Sequence, residues 1–437
     1  MMGIFELSLR LAGFPIKKAQ TAFEAILQIP ETDYQNFIEN KKTEIVHFHL
    51  KNNSFYSDLC KGKNIENWND LPVLTKADLQ QPLSQRLSKG FSEPNVFVNK
   101  TSGSSGTPFI FAKDRMAHAL TWAHIIHVFG QHAVDFNTDF QARFYGIPKA
   151  YCGNRKERLK DVLSNRYRFS IFDLSDAELE KILKKFENKK FDYINGYTSS
   201  IVLFAKYLES KNIILKKICP SLKVCIVTSE MLFDADKVVL EKQFGISIVN
   251  EYGASELGVI AMQNSKQEWA INSQTLFVEI LDHNNQPVPH GIEGKIAVTS
   301  LYNKAHPFIR YEIGDTGILD EKSTAKFPIL KKLIGRTNDI AILPSGKKSP
   351  GLTFYYVTKS IIEDDGNVKE FVIKQLKADT FEIEYISLKA LETTQIEKIK
   401  AAIDLYLEPN LKLIFSKKDF LKRSKSGKLK QFVSLIQ

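Results

Sequence analysis

Apolar positions recur at three- and four-residue intervals through AQTAFEAILQ and DYQNFIENKKTEIVHFHL, so the first 95 residues are expected to be mostly helical. Within that stretch, LPVLTKADL places Thr75 where an N-cap would open a further helix. The segment FVNKTSGSSGTPFIFAKD then sets a glycine- and serine-rich loop between two apolar flanks. Strand, tight loop and strand is the expected arrangement, with both flanks buried. Helical spacing returns from Met116 to Phe129.

From residue 170 to 250 the pattern alternates. DAELEKILKKFEN, SSIVLFAKYLES and DKVVLEKQF read as helices, and FDYING, LKVCIVTSE and ISIVNEYG as strands between them. That alternation predicts an α/β core with parallel strand pairing. After Gly258 the chain breaks into short strands punctuated by turn residues (FVEILD, GIEGKIAVTSLY, FIRYEIGDTGIL), which predicts an antiparallel β region. The organisation changes again around Gly335. From residue 340 to 437, VTKSIIED, EFVIKQL, FEIEYISL, TQIEKIKAAIDLYL and LKLIFSKKDF suggest a small α+β unit. The predicted fold class is therefore α/β: a large N-terminal domain (1–335) with α/β and β subdomains, then a small C-terminal α+β domain (340–437).

Composition agrees with a globular enzyme of more than one domain, at 437 residues, 43% hydrophobic and 25% charged. The net charge of +10 admits a groove for a polyanion, or a surface of scattered lysines. The lysines run along the whole chain without an aromatic-interleaved basic stripe, so nucleic acid is not an expected partner. Cys60, Cys152, Cys219 and Cys225 are widely spaced and form no CxxC pair, which gives no zinc site or disulfide framework and suits a reducing, cytoplasmic setting. No apolar run approaches the roughly 18 residues needed to span a bilayer. His124 and His127 share a helical spacing that a metal could use, although helical packing and solvent exposure explain it more simply. Five arginines (Arg143, Arg155, Arg158, Arg166 and Arg168) could grip an anion, but a solvated loop is the simpler expectation.

Candidate chemistry sits in five short segments. In TSGSSGTP (Thr101, Ser102, Gly103, Ser104, Ser105, Gly106, Thr107 and Pro108), small residues let backbone N–H groups close on an anion while hydroxyls add donors. The segment lacks the GK[ST] ending of the common nucleotide P-loop. NEYGASELG follows a predicted buried strand and offers Tyr252 as a stacking face and Glu256 as a hard oxygen ligand for Mg²⁺. FIRYEIGDTG carries Asp315 after a glycine, where a carboxylate could accept from ribose hydroxyls or form an ordinary Asx turn. IGRTND lies at the domain junction, and RSKSGKLK near the C-terminus offers Lys428.

The order and spacing of these segments resemble the adenylate-forming superfamily of acyl-CoA ligases, luciferases and peptide synthetase adenylation domains, over essentially the whole chain. Within it, LPVLTKADL, TSGSSGTP, YINGYTSSIVLFAKYL, VEILDHNNQPVPHGIEGKIAVTSLYNKAHPFIRYEIGD and RSKSGKLKQF look most like the phenylacetate–CoA ligase and capsule-biosynthesis-type family. The resemblance implies an ATP- and Mg²⁺-dependent enzyme that activates a small carboxylic acid and transfers it to coenzyme A, or alternatively to an amine acceptor. It implies that Thr101 to Thr107 hold the β- and γ-phosphates and that Ser229 and Glu230 border the adenine pocket. Tyr252, with Gly253, would stack on the base, Ser255 would contact the α-phosphate, and Glu256 would bind Mg²⁺. Asp315 with Arg336 would hold the ribose, and Tyr145-Gly146 would line the acyl pocket. Residues 336–339, with Asn338, would form the hinge of a mobile C-terminal domain that brings Lys428 to the acyl and phosphate oxygens. Dimers are common among such relatives, so a homodimer is compatible with the resemblance.

Overall fold

The computed structural model describes residues 4–100, 110–145, 158, 160–171, 174–230, 232, 234–334, 340–350, 354, 358, 368–387, 389–419, 421 and 432–436. The chain opens with helices α1 (Ile4–Leu11), α2 (Ile16–Leu27), α3 (Glu31–Asn52), α4 (Ser54–Leu59) and α5 (Leu83–Arg86). Strands β1 (Phe97–Lys100) and β2 (Ile110–Lys113) follow as an antiparallel pair, then α6 (Arg115–Gly130). Next come β3 (Gln141–Phe144), β4 (Arg166–Phe169), α7 (Asp176–Asn188), β5 (Tyr193–Tyr197), α8 (Thr198–Ser210), α9 (Leu215–Ile218), β6 (Val224–Thr228) and α10 (Asp234–Phe244). Strand β7 (Ser247–Ala254) precedes β8 (Gly258–Gln263), β9 (Trp269–Ile271), β10 (Leu276–Leu281), β11 (Glu293–Ser300), β12 (Tyr311–Leu319) and β13 (Ile329–Ile334). The C-terminal part contains β14 (Ile340–Ile342), β15 (Lys348–Pro350), β16 (Val368–Lys377), β17 (Thr380–Ser387), α11 (Thr393–Tyr406), β18 (Lys412–Lys417) and β19 (Phe432–Ser434).

The chain divides into two compact units. The first comprises residues 1–103, 108–135 and 251–335; the second comprises 104–107, 136–250 and 336–437. In the first unit, β10, β11, β12, β13, β9 and β8 are neighbours in that order, each pair antiparallel, as the turn-punctuated sequence predicted. Its core gathers Ile45, Tyr56, Phe111, Ile260, Ile296, Phe308 and Tyr311. Capping fixes where its helices begin. The Asn53 side chain accepts from the Tyr56 N–H at 2.9 Å to start α4, and Asp114 accepts from Ala117 N–H at 2.8 Å to start α6.

In the second unit, β6, β5, β3 and β4 lie in that order with every pair parallel; the strand–helix alternation predicted the β5–β6 pairing, whereas β3 and β4 lie before the segment it covered. Helices α7 and α8 cover one face, where Phe144, Phe169, Phe186, Phe191 and Phe204 pack with Ile194, Leu208 and Leu240. Acidic residues in the first turn of α7 (Asp176, Glu178) and Lys185 in its last turn suit the helix dipole. The C-terminal segment of this unit has an apolar cluster of its own, from Ala341 and Phe354 through Phe371, Ile383, Ile399 and Ile403 to Phe432. Strand β17 shows why: Phe381, Ile383 and Tyr385 alternate inward along it while α11 supplies Ile399 and Ile403.

Two local expectations fail. Thr75 does not cap a helix by accepting; its N–H and hydroxyl both donate to Asp78 Oδ2 at 2.7 Å, and only a short 3₁₀ turn, Asp78–Gln80, follows. The carboxylate outcompetes the hydroxyl as acceptor because it carries charge. The two flanks of the TSGSSGTP loop are not both buried either. β2 is buried from Phe111 onward, whereas Val98, Asn99 and Lys100 of β1 are exposed.

Candidate active site

In the first unit, chemistry collects where β7 turns into β8. Ala254 pairs with Gly258, and the Leu257 N–H closes the turn on the Ala254 carbonyl at 3.0 Å. Both glycines are required here. A Cβ on Gly253 would lie 2.7 Å from the Gly258 carbonyl oxygen. Gly258 has φ +89°, and its Cβ would lie 2.5 Å from Thr121 Cγ2. The turn leaves Gly253 and Ser255 exposed while Glu256 is buried.

Strand β12 meets this turn with two side chains. The Tyr252 hydroxyl donates to Asp315 Oδ2 at 3.1 Å, and the Tyr311 hydroxyl donates to Glu256 Oε1 at 2.9 Å. Asp315 lies within β12, not in a turn between strands. Lys295 pairs with Thr316 and Ala297 with Glu312, so three residues of β12 oppose one of β11. Gly314, at φ +88°, supplies the left-handed conformation that this bulge needs, and the bulge re-aims Asp315. Just before β12, Arg310 is fully buried at φ +48°. Its Nη1 donates to the Asn69 and Leu71 carbonyls at 2.8 and 3.0 Å, its Nη2 donates to Asn285 O at 2.8 Å, and its Nε lies 3.5 Å from Glu279 Oε2. This arginine anchors the strand that carries Tyr311 and Asp315.

Lys113, at the end of β2, also belongs to this neighbourhood and was not foreseen. It is buried and donates to Thr121 Oγ1 at 3.1 Å. Burial lowers its pKa to about 8, against the pull of the Glu256 carboxylate, which raises it. Its only sequence signal is a lysine in an otherwise apolar strand.

In the second unit, Ser229 stands at the end of β6 with φ +71°, a conformation that costs a non-glycine residue energy and concentrates at functional positions. The Thr198 hydroxyl reaches the Thr228 and Glu230 carbonyls at 3.3 and 3.1 Å, which holds this strand end. Tyr145 packs on Tyr197 with ring centroids 4.6 Å apart, and the Arg143 guanidinium lies 4.2 Å above its ring. Thr101 to Thr107, Gly146, Arg336, Asn338 and Lys428 lie outside the described residues.

Arg155 lies outside the described residues, and three of the other four arginines are not in a solvated loop. Arg143 lies on β3, and Arg166 and Arg168 lie on β4, because alternate residues (Ala142, Phe144, Phe169) are apolar and commit both segments to the sheet. The buried Asp161 carboxylate accepts from Arg166 Nε at 2.7 Å and Arg168 Nη2 at 2.9 Å, with Arg158 3.9 Å away. The histidines of α6 are packing residues: His124 and His127 both lie against the Phe23 ring, and burial drives His124 down to about 3. Among the described residues no group of three or more His, Cys, Asp or Glu side chains could hold a metal ion.

No protein-family model matches the chain. Protein CapK of Staphylococcus aureus is 25% identical over 343 residues, covering 72% of this chain and 71% of the relative. Phenylacetate-coenzyme A ligase of Aromatoleum evansii is 24% identical over 340 residues, covering 71% and 72%. Among solved structures, 2-hydroxyisobutyryl-CoA ligase in its thioesterification state, complexed with 2-HIB-AMP and CoA, superposes with a TM-score of 0.59 over 93% of this chain and 90% of that one, at 15% identity. The fold is that of the adenylate-forming ligases. An open conformation of the same ligase gives 0.57 over 92% of both chains at 14% identity. The adenylate-forming resemblance read from the motifs therefore agrees with both sequence relatives and fold. Among the described residues no helix is long and apolar enough to cross a membrane.

Proposed function

We propose that the chain is an ATP-dependent ligase that activates a small carboxylic acid as an acyl-adenylate and passes the acyl group to coenzyme A. The observation that carries this reading is the strand-end constellation of the first unit, with Tyr252 bonded to Asp315 and the buried Glu256 on the adjoining turn. A flat aromatic face beside a carboxylate is what a nucleoside needs, one for the base and one for the ribose hydroxyls. The similarity to phenylacetate-coenzyme A ligase supports a carboxylic acid and coenzyme A as the other reactants.

A carboxylate is a poor electrophile, because an oxide ion does not leave. Attack of its oxygen on the α-phosphorus of ATP forms a mixed anhydride and expels pyrophosphate. The thiol of coenzyme A then attacks the acyl carbon, and AMP departs with the electron pair. Charge builds on phosphate oxygens in the first step, so positioning and positive charge carry the catalysis. In this reading Thr101 to Thr107 cradle the β- and γ-phosphates, Ser255 meets the α-phosphate, Ser229 and Glu230 border the adenine, and Arg336 assists Asp315. Lys428 bridges the acyl and phosphate oxygens, and Tyr145-Gly146 line the acyl pocket. Residues 1–335 act as the adenylation domain and 340–437 as a lid turning about 336–339 at Asn338. The separate apolar cluster of the C-terminal segment supports that division.

Glu256 fits the Mg²⁺ such a reaction uses. Its Oε1 takes the Tyr311 hydrogen bond, which leaves Oε2 for a hard cation. One carboxylate plus phosphate oxygens is a set that Mg²⁺ accepts, since it seldom relies on an all-protein cage. When bound, Mg²⁺ neutralises charge on the phosphates.

The test is a pyrophosphate-release screen over aryl, fatty, hydroxy and amino acids, with and without coenzyme A. Acid-dependent pyrophosphate, followed by AMP release on adding coenzyme A, is the expected result. A chain that binds no ATP would overturn it and revive a non-catalytic binding role. The second reading is transfer to an amine acceptor in place of coenzyme A, which the resemblance of the motifs to the capsule-biosynthesis-type family admits. AMP release that requires an amine and ignores coenzyme A would decide for it.

A further inference from the structure

Parallel sheets are usually buried by apolar residues on both faces, and the sheet of the second unit departs from that rule. Strand alternation puts Ala142, Phe144, Phe169 and Ile194 on the face covered by α7 and α8. The opposite face therefore carries Gln141 and Arg143 from β3, Arg166 and Arg168 from β4, and Tyr193 and Asn195 from β5. In register, Arg143 lies beside Arg168 on one side and Asn195 on the other. Adjacent strands are only about 4.8 Å apart, so three guanidinium groups share one small area.

Among the described residues, the carboxylates nearest these arginines are engaged elsewhere than on Arg143. Asp161 is 1% exposed and pairs with Arg166, Arg168 and Arg158 but not with Arg143. Asp139, at the same end of β3, is taken by Lys223 at 2.8 Å from both oxygens. Burial lowers the Arg166 pKa, and the neighbouring charge of Arg143 lowers it further. Among the described residues Arg143 has no carboxylate partner, and its Nε is buried without an acceptor. Its guanidinium carbon instead lies 4.2 Å over the Tyr145 ring centroid, a contact that does not satisfy its donors. Desolvated cations of one sign are expensive unless an anion joins them.

We infer that Arg143 is a specificity-determining residue that binds a second anionic group, carboxylate or phosphate, on the far end of the acid that this enzyme activates. This rests on the reading that Tyr145 lines the acyl pocket. The Arg143 fork over the Tyr145 ring suits bidentate capture of an oxyanion, which a second carboxylate or phosphate supplies and a neutral tail does not. Gln141, which reaches Asn195 Oδ1 at 3.4 Å, completes a polar rather than greasy floor.

The experiment compares matched acids in pyrophosphate exchange: butyrate with succinate, hexanoate with adipate, phenylacetate with 4-carboxyphenylacetate, and glycolate with phosphoglycolate. Wild-type enzyme should favour the dianionic member of the best pair by about 100-fold or more in kcat/KM, since a site built around a polar contact rejects an analogue lacking it by up to about 10⁴–10⁵-fold. In Arg143→Ala that ratio should collapse towards one, through KM rather than kcat. Arg143→Lys should keep part of it, because it retains the charge and loses the fork. Circular dichroism establishes that each variant is folded, and Arg143→Gln stands in should the alanine variant fail. A wild-type preference for neutral-tailed acids, or a ratio that survives Arg143→Ala, overturns the inference while leaving adenylation intact. A rise confined to the KM of coenzyme A also overturns it, by assigning the arginine to the thiol substrate. Absence of exchange with every acid counts instead against the proposed function.

Discussion

Replacing Arg310 by methionine removes the guanidinium but keeps an unbranched apolar stem in its place. Three hydrogen bonds go, to Asn69 O, Leu71 O and Asn285 O, together with the 3.5 Å contact to Glu279. Glu279 is itself buried, and its remaining donor is Trp68 Nε1 at 2.9 Å. Removing one member of such a pair strands the other, and losses of about 3–5 kcal/mol are typical. The pH dependence follows from the sign of the Glu279 shift. Burial already raises its pKa above the ordinary glutamate value, with Arg310 opposing the rise. Without Arg310 the folded-state pKa climbs further. The folded protein then holds a proton that the unfolded chain releases. The associated stability is fully present below the unfolded pKa and is lost as pH rises through the folded one. The variant should therefore be most destabilised at neutral and alkaline pH and recover part of its loss as pH falls towards the usual glutamate range. Urea unfolding read by tryptophan fluorescence measures this directly, since Trp68, Trp122 and Trp269 all lie in the first unit. The double variant Arg310→Met/Glu279→Gln should be more stable than the single one at pH 8. A loss below about 1 kcal/mol, or a penalty independent of pH and of Glu279, would refute the reasoning.

Two further expectations concern the chemistry. Glu256→Gln should raise the Mg²⁺ concentration needed for half-maximal pyrophosphate exchange by about tenfold or more, and should weaken Mg²⁺-dependent ATP binding measured calorimetrically; wild-type metal dependence would remove Glu256 from the site. Lys428→Ala should abolish acid-dependent pyrophosphate exchange while transfer from supplied acyl-AMP to coenzyme A persists, and undiminished exchange would dismiss that lysine.

Helices and strands with strong periodicity were legible in the sequence. DAELEKILKKFEN coincides with α7, and the alternation through LKVCIVTSE and ISIVNEYG became β6 and β7. Such segments encode their own conformation, because every second, or every third and fourth, residue must face a core. Strands β3 and β4 were missed for the opposite reason. Four residues each, with one arginine in β3 and two in β4, they look solvated until the fold brings Asp161 and the phenylalanine layer against them. Local pattern cannot announce a buried ionic face: Asp161 lies only five and seven residues before Arg166 and Arg168, yet its burial against them is decided by packing.

The site divides in the same way. From sequence alone come the residue types and their order: a tyrosine-glycine strand end, a glutamate four residues later, an aspartate behind a glycine, and the adenylate-forming resemblance they carry together. Only tertiary structure decides that Tyr252 bonds Asp315 across 63 positions, that Tyr311 holds Glu256, and that Lys113 is buried in the field of that glutamate. It also decides that Arg310 is a buried anchor rather than a surface charge. A sequence lists which groups are available. Burial, which strips water from them and makes each hydrogen bond and charge count, is a property of the folded chain as a whole.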